Sequence, residues 1–322
     1  MKTALRRAFS VLTATAALSA SVVACSSSNV DEATKLTVGF VVDPSWAQIP
    51  VAVDTGLFVD HDVEVEVINF SSGVEALQAA AAGQVDITTA ADVPTAAALT
   101  RTPSLRVVAD GSRWEGSRIV ARRSAGINTV EDLAGKSIGT PLGTSAAYYI
   151  SNALAANDID ATLVQVAPSA IVTAISQQNV DAVSIFQPYQ AQAIEALDGD
   201  VVELSGGTYN QHSLFLATEA ARTEKSEAIT AFFAALADAG TALTEQDSAA
   251  IDAVAKATQL EPELLATVLG EFDFSLQLQP DLATKLTDLG EWAKTQKSID
   301  AATELPDYAT FLDNQYLAES AS

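Results

Sequence analysis

Cysteine is all but absent from this chain: Cys25 is the only one in 322 residues. An internal disulfide is therefore excluded, and the fold must be held by burial. Basic side chains are scarce as well, 17 Lys and Arg against 41 Asp and Glu, for a net charge of −24. A surface of that sign repels phosphate backbones and gains nothing from anionic lipid headgroups, so nucleic acid is excluded as a partner. The two histidines, His61 and His212, stand far apart in sequence. No His/Cys set has metal-ligand spacing and no G-x-S-x-G elbow occurs, so no metal, cofactor or catalytic residue is expected. Beyond the first 25 residues no apolar run is long enough to span a bilayer.

What is present begins with an address. Lys2, Arg6 and Arg7 precede an apolar, small-residue run from Ala8 to Ala24, which is the layout of a secretory signal. Cys25 follows Val22-Val23-Ala24 and resembles the lipobox of bacterial lipoproteins, although such boxes usually have leucine where Val22 stands. The resemblance implies a diacylglyceryl group on the Cys25 thiol, with 1–24 as the cleaved signal peptide. Three of the 17 basic residues lie in that segment, so the mature chain keeps 14 against 41 acidic ones, a net charge of −27. Membrane attachment then rests on acyl chains, at about 0.8 kcal/mol per buried CH2. Ser26–Thr34 is polar and aperiodic, and 25–35 reads as a flexible tether.

The rest suffices for two lobes with separate cores. Leu36–Val42 reads as a strand covered on both faces, Ile49–Phe58 as a helix and His61–Phe70 as an alternating strand. Ser72-Gly73-Val74-Glu75 fits a capping box before a helix over Ala76–Ala82, closed by Gly83, with a third strand over Gln84–Thr89. This is a parallel β-α-β-α-β unit. A second unit repeats it: a strand at Ile138, a helix over Ser145–Ala156, a strand over Leu163–Val166, a helix over Pro168–Gln178 and a strand over Val180–Phe186. Gly83-Gln84-Val85-Asp86 aligns with Gln178-Asn179-Val180-Asp181 at an offset of 95 residues. Strand-like segments within Arg106–Arg122 and at Ser213–Ala217 are the candidate crossovers. From Glu219 onward the pattern is helical, with Leu282, Leu286, Leu289 and Ala293 on one face. The division is lobe 1 over 36–115 and 217–322, and lobe 2 over 116–216.

Several segments carry a family resemblance. Pro50-Val51-Ala52-Val53-Asp54-Thr55-Gly56-Leu57-Phe58 is close to P-x-x-x-A-x-x-x-G-x-F, with Val53 near the usual alanine. Ser72-Gly73 with Leu77, Gly83-Gln84-Val85-Asp86, Asp132 to Gly139, Asp181-Ala182-Val183 and Gln187-Pro188-Tyr189 extend the pattern. Together they resemble the nitrate/sulfonate/taurine binding proteins of ABC importers, a group that also includes binders of thiamine-precursor pyrimidines. The resemblance runs from about Leu36 to Leu317. It implies an α/β, two-lobed periplasmic-binding-protein-like fold of class II type, each lobe a mostly parallel sheet flanked by helices. It also implies a monomer held at the outer face of the cell membrane, which passes a small solute to permease subunits.

The site should lie at the carboxyl ends of the parallel strands. The candidates there are Asp43 and Trp46 after the first strand, Ser72 and Gly73 at a helix start, and Asp92 after the third strand. The other lobe offers Thr144, Ser145 and Tyr148, and then Phe186, Gln187 and Tyr189. Arg118, between the lobes, is the best placed cation for an anionic solute. Ser72, Thr144, Ser145 and Asp92 would also serve as plain helix caps. Helix starts suit a sulfonate or carboxylate, whereas Asp43, Asp92 and the aromatics suit an amine or flat ring; a zwitterion or heterocycle would use both. The alternative function is an enzyme on the same fold acting on a pyrimidine or similar metabolite, although such relatives carry cysteine-rich segments that this chain lacks. A sensor lobe of a transcription regulator is disfavoured by the export signal.

Overall fold

The computed structural model describes residues 32–317. The signal, Cys25 and most of the tether lie outside the described residues. No helix among the described residues is long and apolar enough to cross a membrane.

The first half builds one sheet. β1 (Lys35–Val41) pairs in parallel with β2 (Glu64–Phe70) and β3 (Ile87–Ala91). Leu36, Val38, Phe40 and Val41 are buried, as an apolar run covered on both faces requires. The helix expected over Ile49–Phe58 is divided into α1 (Gln48–Thr55) and α2 (Leu57–Asp60). Gly56 between them has φ of 82°, a left-handed turn that ends the first helix and redirects the chain. α3 (Gly73–Ala81) and α4 (Asp92–Leu99) follow β2 and β3, and β4 (Arg106–Trp114) leads out of the sheet.

The second half builds the other sheet from β5 (Ile119–Arg122), β6 (Ser137–Thr140), β7 (Thr162–Gln165), β8 (Ala182–Ser184) and β9 (Val201–Leu204). Its helices are α5 (Ser145–Ala156), α6 (Pro168–Ser176) and α7 (Tyr189–Leu197). The chain then returns through β10 (Gln211–Ala217). The last stretch holds α8 (Glu219–Glu224), α9 (Ser226–Thr244), α10 (Ser248–Thr258), α11 (Pro262–Leu269), β11 (Phe272–Asp273) and α12 (Leu282–Thr295). The sheet orders are β11-β4-β10-β3-β1-β2 and β7-β6-β8-β5-β9.

Two further details depart from the sequence reading. Ser213–Ala217 is no crossover: β10 pairs antiparallel with both β3 and β4, deep in the first sheet. Leu214, Phe215, Leu216 and Ala217 have no exposed surface, which two covered faces demand. The second crossing therefore lies at 205–210, and the first at 115–118. The region after Glu219 is also not purely helical, because β11 extends the edge of β4 and Gln277 exchanges backbone hydrogen bonds with Asp110 at 2.7 and 3.1 Å.

The internal repeat has a physical counterpart. Asp86 Oδ2 accepts from the Thr37 N–H at 2.8 Å, and the Asp86 N–H donates to Thr37 O at 2.8 Å. Asp181 repeats this on Ser137, at 2.9 Å for both bonds. Each aspartate thus locks the third strand of its unit onto the first, in the same strand order. The helices of the last stretch cover the first sheet. Phe215 on β10 meets Phe232 and Phe233 of α9 at ring separations of 6.0 and 5.4 Å, and Phe58 stacks on Phe232 at 5.3 Å. Burial of each ring contributes about 2–3 kcal/mol, and each aromatic pair about 1 kcal/mol more. Leu282, Leu286, Leu289 and Ala293 are buried on one face of α12, which packs on α4.

Candidate functional site

Loops leaving the parallel strands of both sheets converge on one cavity. From the first sheet come Val41, Asp43, Trp46, Gly73, Pro94 and Gln211, with Ala91 at the floor. Thr144, Ser145 and Phe186 close it from the second sheet. The two walls stand close together here, with about 20 Å³ of free volume between them, room for about one water. A roomier groove runs along α9 between Phe233, Phe274 and Tyr316, but no residue of the second sheet or its helices lines it.

Asp43 ends the first strand and caps a single turn over Pro44–Trp46, accepting from the Ser45 N–H at 2.7 Å. It is 2 % exposed. Burial pushes its carboxyl up to about 7, against the opposing hydrogen bonds from the Ser45 backbone and side chain. Among the described residues no Lys, Arg or His lines the cavity to offset it. Trp46 is equally buried, and its indole Nε1 has no hydrogen-bond partner. Gly73 opens α3 so close to β3 that a Cβ would sit 3.1 Å from Ala90 Cα and Cβ. Ser72 beside it caps α3 through the Glu75 N–H at 3.4 Å and does not line the cavity.

On the second sheet, Thr144 precedes α5, but its hydroxyl donates to Pro141 O at 2.7 Å, leaving α5 without a side-chain cap. Ser145 is the first residue of that helix. Phe186 lies edge-on to Tyr189, with centroids 6.2 Å apart. Tyr189 is half-buried just outside the lining, and its phenol is pushed up by burial and then by the charges of Asp43 and Glu75.

Besides Ser72 and Tyr189, four more candidates lie off the cavity lining. The Asp92 carboxylate is fully buried and occupied: it accepts from the Val93 N–H at 2.8 Å, the His212 N–H at 3.2 Å and the Tyr209 hydroxyl. Burial raises its carboxyl above the usual range, partly opposed by Tyr209 and His212. Arg118 and Gln187 face a separate hollow at the back of the crossings, with Glu195, Glu203, Glu261 and Glu271. Arg118 donates to Ser117 O at 2.9 Å, and Gln187 Oε1 accepts from the Ala191 N–H at 3.2 Å. Tyr148 packs edge-on to Tyr209 and Trp292. Neighbouring Tyr149 accepts from the Gly206 N–H at 2.9 Å, so neither tyrosine lines the cavity.

Gln211 is the polar lining residue that sequence reasoning missed, beside the apolar Val41, Ala91 and Pro94. It is 2 % exposed, and its amide donates to Ser45 Oγ at 3.4 Å. A polar side chain heading the apolar strand His212–Ala217 was the available signal. No group of three or more His, Cys, Asp or Glu among the described residues could hold a metal.

Both crossings are pinned by side chains. Gln190 of α7 donates to Gly116 O at 3.0 Å and accepts from the Arg118 N–H at 2.9 Å. In the second crossing, Gly206 is tied to Tyr149 and Tyr209 to Asp92. A Cβ on Gly206 would sit 2.3 Å from that of Ala153, so only glycine fits there.

Two α/β sheets, two crossings and a cavity at the carboxyl ends of the parallel strands define the periplasmic-binding-protein fold. The alkanesulfonate-binding protein of Xanthomonas axonopodis pv. citri, bound to MOPS, shares it at a TM-score of 0.72 and 20% identity, over 87% of this chain and 98% of that one. The periplasmic aliphatic sulphonate binding protein of Escherichia coli does so at 0.73 and 20%, over 86% and 96%. Residues 43–250 match the family described as NMT1/THI5 like, and the chain belongs to that family. A protein of Brucella abortus (strain 2308), named only as a binding protein, is 27% identical over 239 residues, 71% of this chain and 73% of its own length.

Proposed function

We propose that the chain is an extracytoplasmic solute-binding lipoprotein of an ABC importer. It captures a small organic solute between two lobes, one on each sheet, and delivers it to the permease. The observation that carries this reading is the cavity walled by both sheets at once, with Asp43 and Trp46 facing Ser145 and Phe186. A solute touching both walls favours the closed arrangement by its differential contacts. Relatives named for sulfonate binding support the class of role, and the Cys25 segment supports anchoring of a monomer at the outer face of the cell membrane.

A thermal-shift screen of sulfonates, carboxylates, amines and nitrogen heterocycles tests the reading. A solute at 100 times its Kd adds about 2.7 kcal/mol of stability, and mass spectrometry should recover it unchanged. No shift from any compound, or recovery of a product, would sink it. Cys25→Ser should move the protein from the membrane to the soluble fraction of expressing cells with solute affinity unaltered; a soluble natural chain would remove the anchor from the proposal.

A further inference from the structure

The polarity of the cavity narrows the solute class, on the premise that the cavity is the solute site. Its lining holds one carboxyl group, Asp43, and no basic side chain. That carboxyl forms no ion pair among the described residues, and Ser45 alone hydrogen-bonds it. Nothing in the fold requires an acid at this point, because the turn it caps would be capped as well by Asn or Ser. The second observation is independent: Trp46 lines the same cavity, and its indole N–H is buried without an acceptor. On the opposite wall, α5 begins at Ser145 with backbone N–H groups that no side chain caps. The cavity therefore has one buried carboxyl on the Asp43 wall, which a cationic partner would hold in its charged form, with donors free of side-chain partners on Trp46 and at the start of α5. Trp46 and Phe186 supply aromatic surface from the two walls, which suits a cation or a flat ring.

We propose that the solute is a small nitrogen compound whose ammonium or ring N–H seats on Asp43, and whose acceptor atom takes the Trp46 indole and the start of α5. A simple sulfonate or nitrate lacks the first half of this match and would set an anion beside a carboxylate in a site with no basic side chain. Asp43 is then the residue that separates this chain's solute from a plain anion.

Calorimetry with matched probes tests this: 4-aminopyridine against pyridine, 2-aminoethanesulfonate against ethanesulfonate, and benzylammonium against benzyl alcohol. At least one nitrogen-bearing member should bind ten or more times tighter than its partner. Asp43→Asn keeps the acceptor for the Ser45 N–H and should remove that preference; Trp46→Phe keeps the ring and should weaken the same probe several-fold. Should either variant fail to fold, pH decides on the natural chain. Tyr189 of α7, on the second sheet's side, is the ionisable group that senses the Asp43 charge, and Glu75 of α3, on the same side as Asp43, acts on Tyr189 as well. Tyr189 stays neutral and 4-aminopyridine cationic from pH 5.5 to 8, so binding should weaken at least tenfold on acidification as Asp43 gains a proton. Preference for the members without an N–H, or affinity indifferent to Asp43→Asn and to pH, overturns the inference. A solute without a nitrogen donor that binds in the wider screen overturns it as well and leaves the capture role standing; no binding by any compound overturns both.

Discussion

Asp43→Asn should melt several degrees above the natural chain at pH 8 and level with it at pH 4. The carboxyl titrates near 3.8 in an unfolded chain and near 7 in the fold, where desolvation penalises its charge. Between those values the unfolded chain has released a proton that the folded chain still holds. Each pH unit in that window removes about 1.4 kcal/mol of stability. Below 3.8 nothing is lost; above 7 the loss levels at about 4 kcal/mol. Asparagine does not titrate, so the difference between the variants isolates this one group. Thermal unfolding at pH 4, 6 and 8 without solute measures it. Equal melting at pH 8 would mean that the charge of Asp43 is compensated in the empty protein, and the cavity would lose its claim on a cationic partner. A residue that lowers stability where it stands is what a binding site retains for its ligand.

Asp92→Ala should cost about 3 kcal/mol or more in urea unfolding. Its carboxylate accepts from Val93, His212 and Tyr209, and truncation leaves two buried donors and a part-buried one without this acceptor, each buried one worth about 1–3 kcal/mol. The burial that raises the Asp92 carboxyl offsets part of that sum. Tyr209→Phe removes one donor of the three and should cost about 1 kcal/mol. A loss under 1 kcal/mol in Asp92→Ala would show that water replaces the carboxylate and that the second crossing is not held from α4.

Asp43 and Asp92 show where the sequence ceases to inform. Both follow a strand at the expected end of the sheet, and local pattern treats them alike. Their difference is made by residues remote in sequence: Tyr209 and His212 reach back to Asp92 from beyond residue 200, whereas only Ser45 serves Asp43. Arg118 and Gln187 stand at the right places along the chain, yet both face the hollow behind the crossings. Their orientation is set by packing between lobes that no local period records. The repeat was legible because it is local: each unit carries its own strands, helix starts and aspartate, and Asp86 and Asp181 do the same work in each. The place of β10 was not, since an isolated apolar run of that length suits a crossover as well as a central strand.

The anchors on the crossings have a mechanical consequence. Gln190 binds Gly116 and Arg118 to α7, so the first crossing travels with the second sheet almost from its start. In the second crossing the hold passes from α5 at Gly206 to α4 at Tyr209, with only Gly207 and Thr208 between. Gly207 has φ of 146°, a torsion that other residues adopt only under strain. For the proposed closure, the rotation axis runs through two short pins, Glu115 in the first crossing and Gly207–Thr208 in the second. The stiffness of that closure is then a matter of a few backbone torsions.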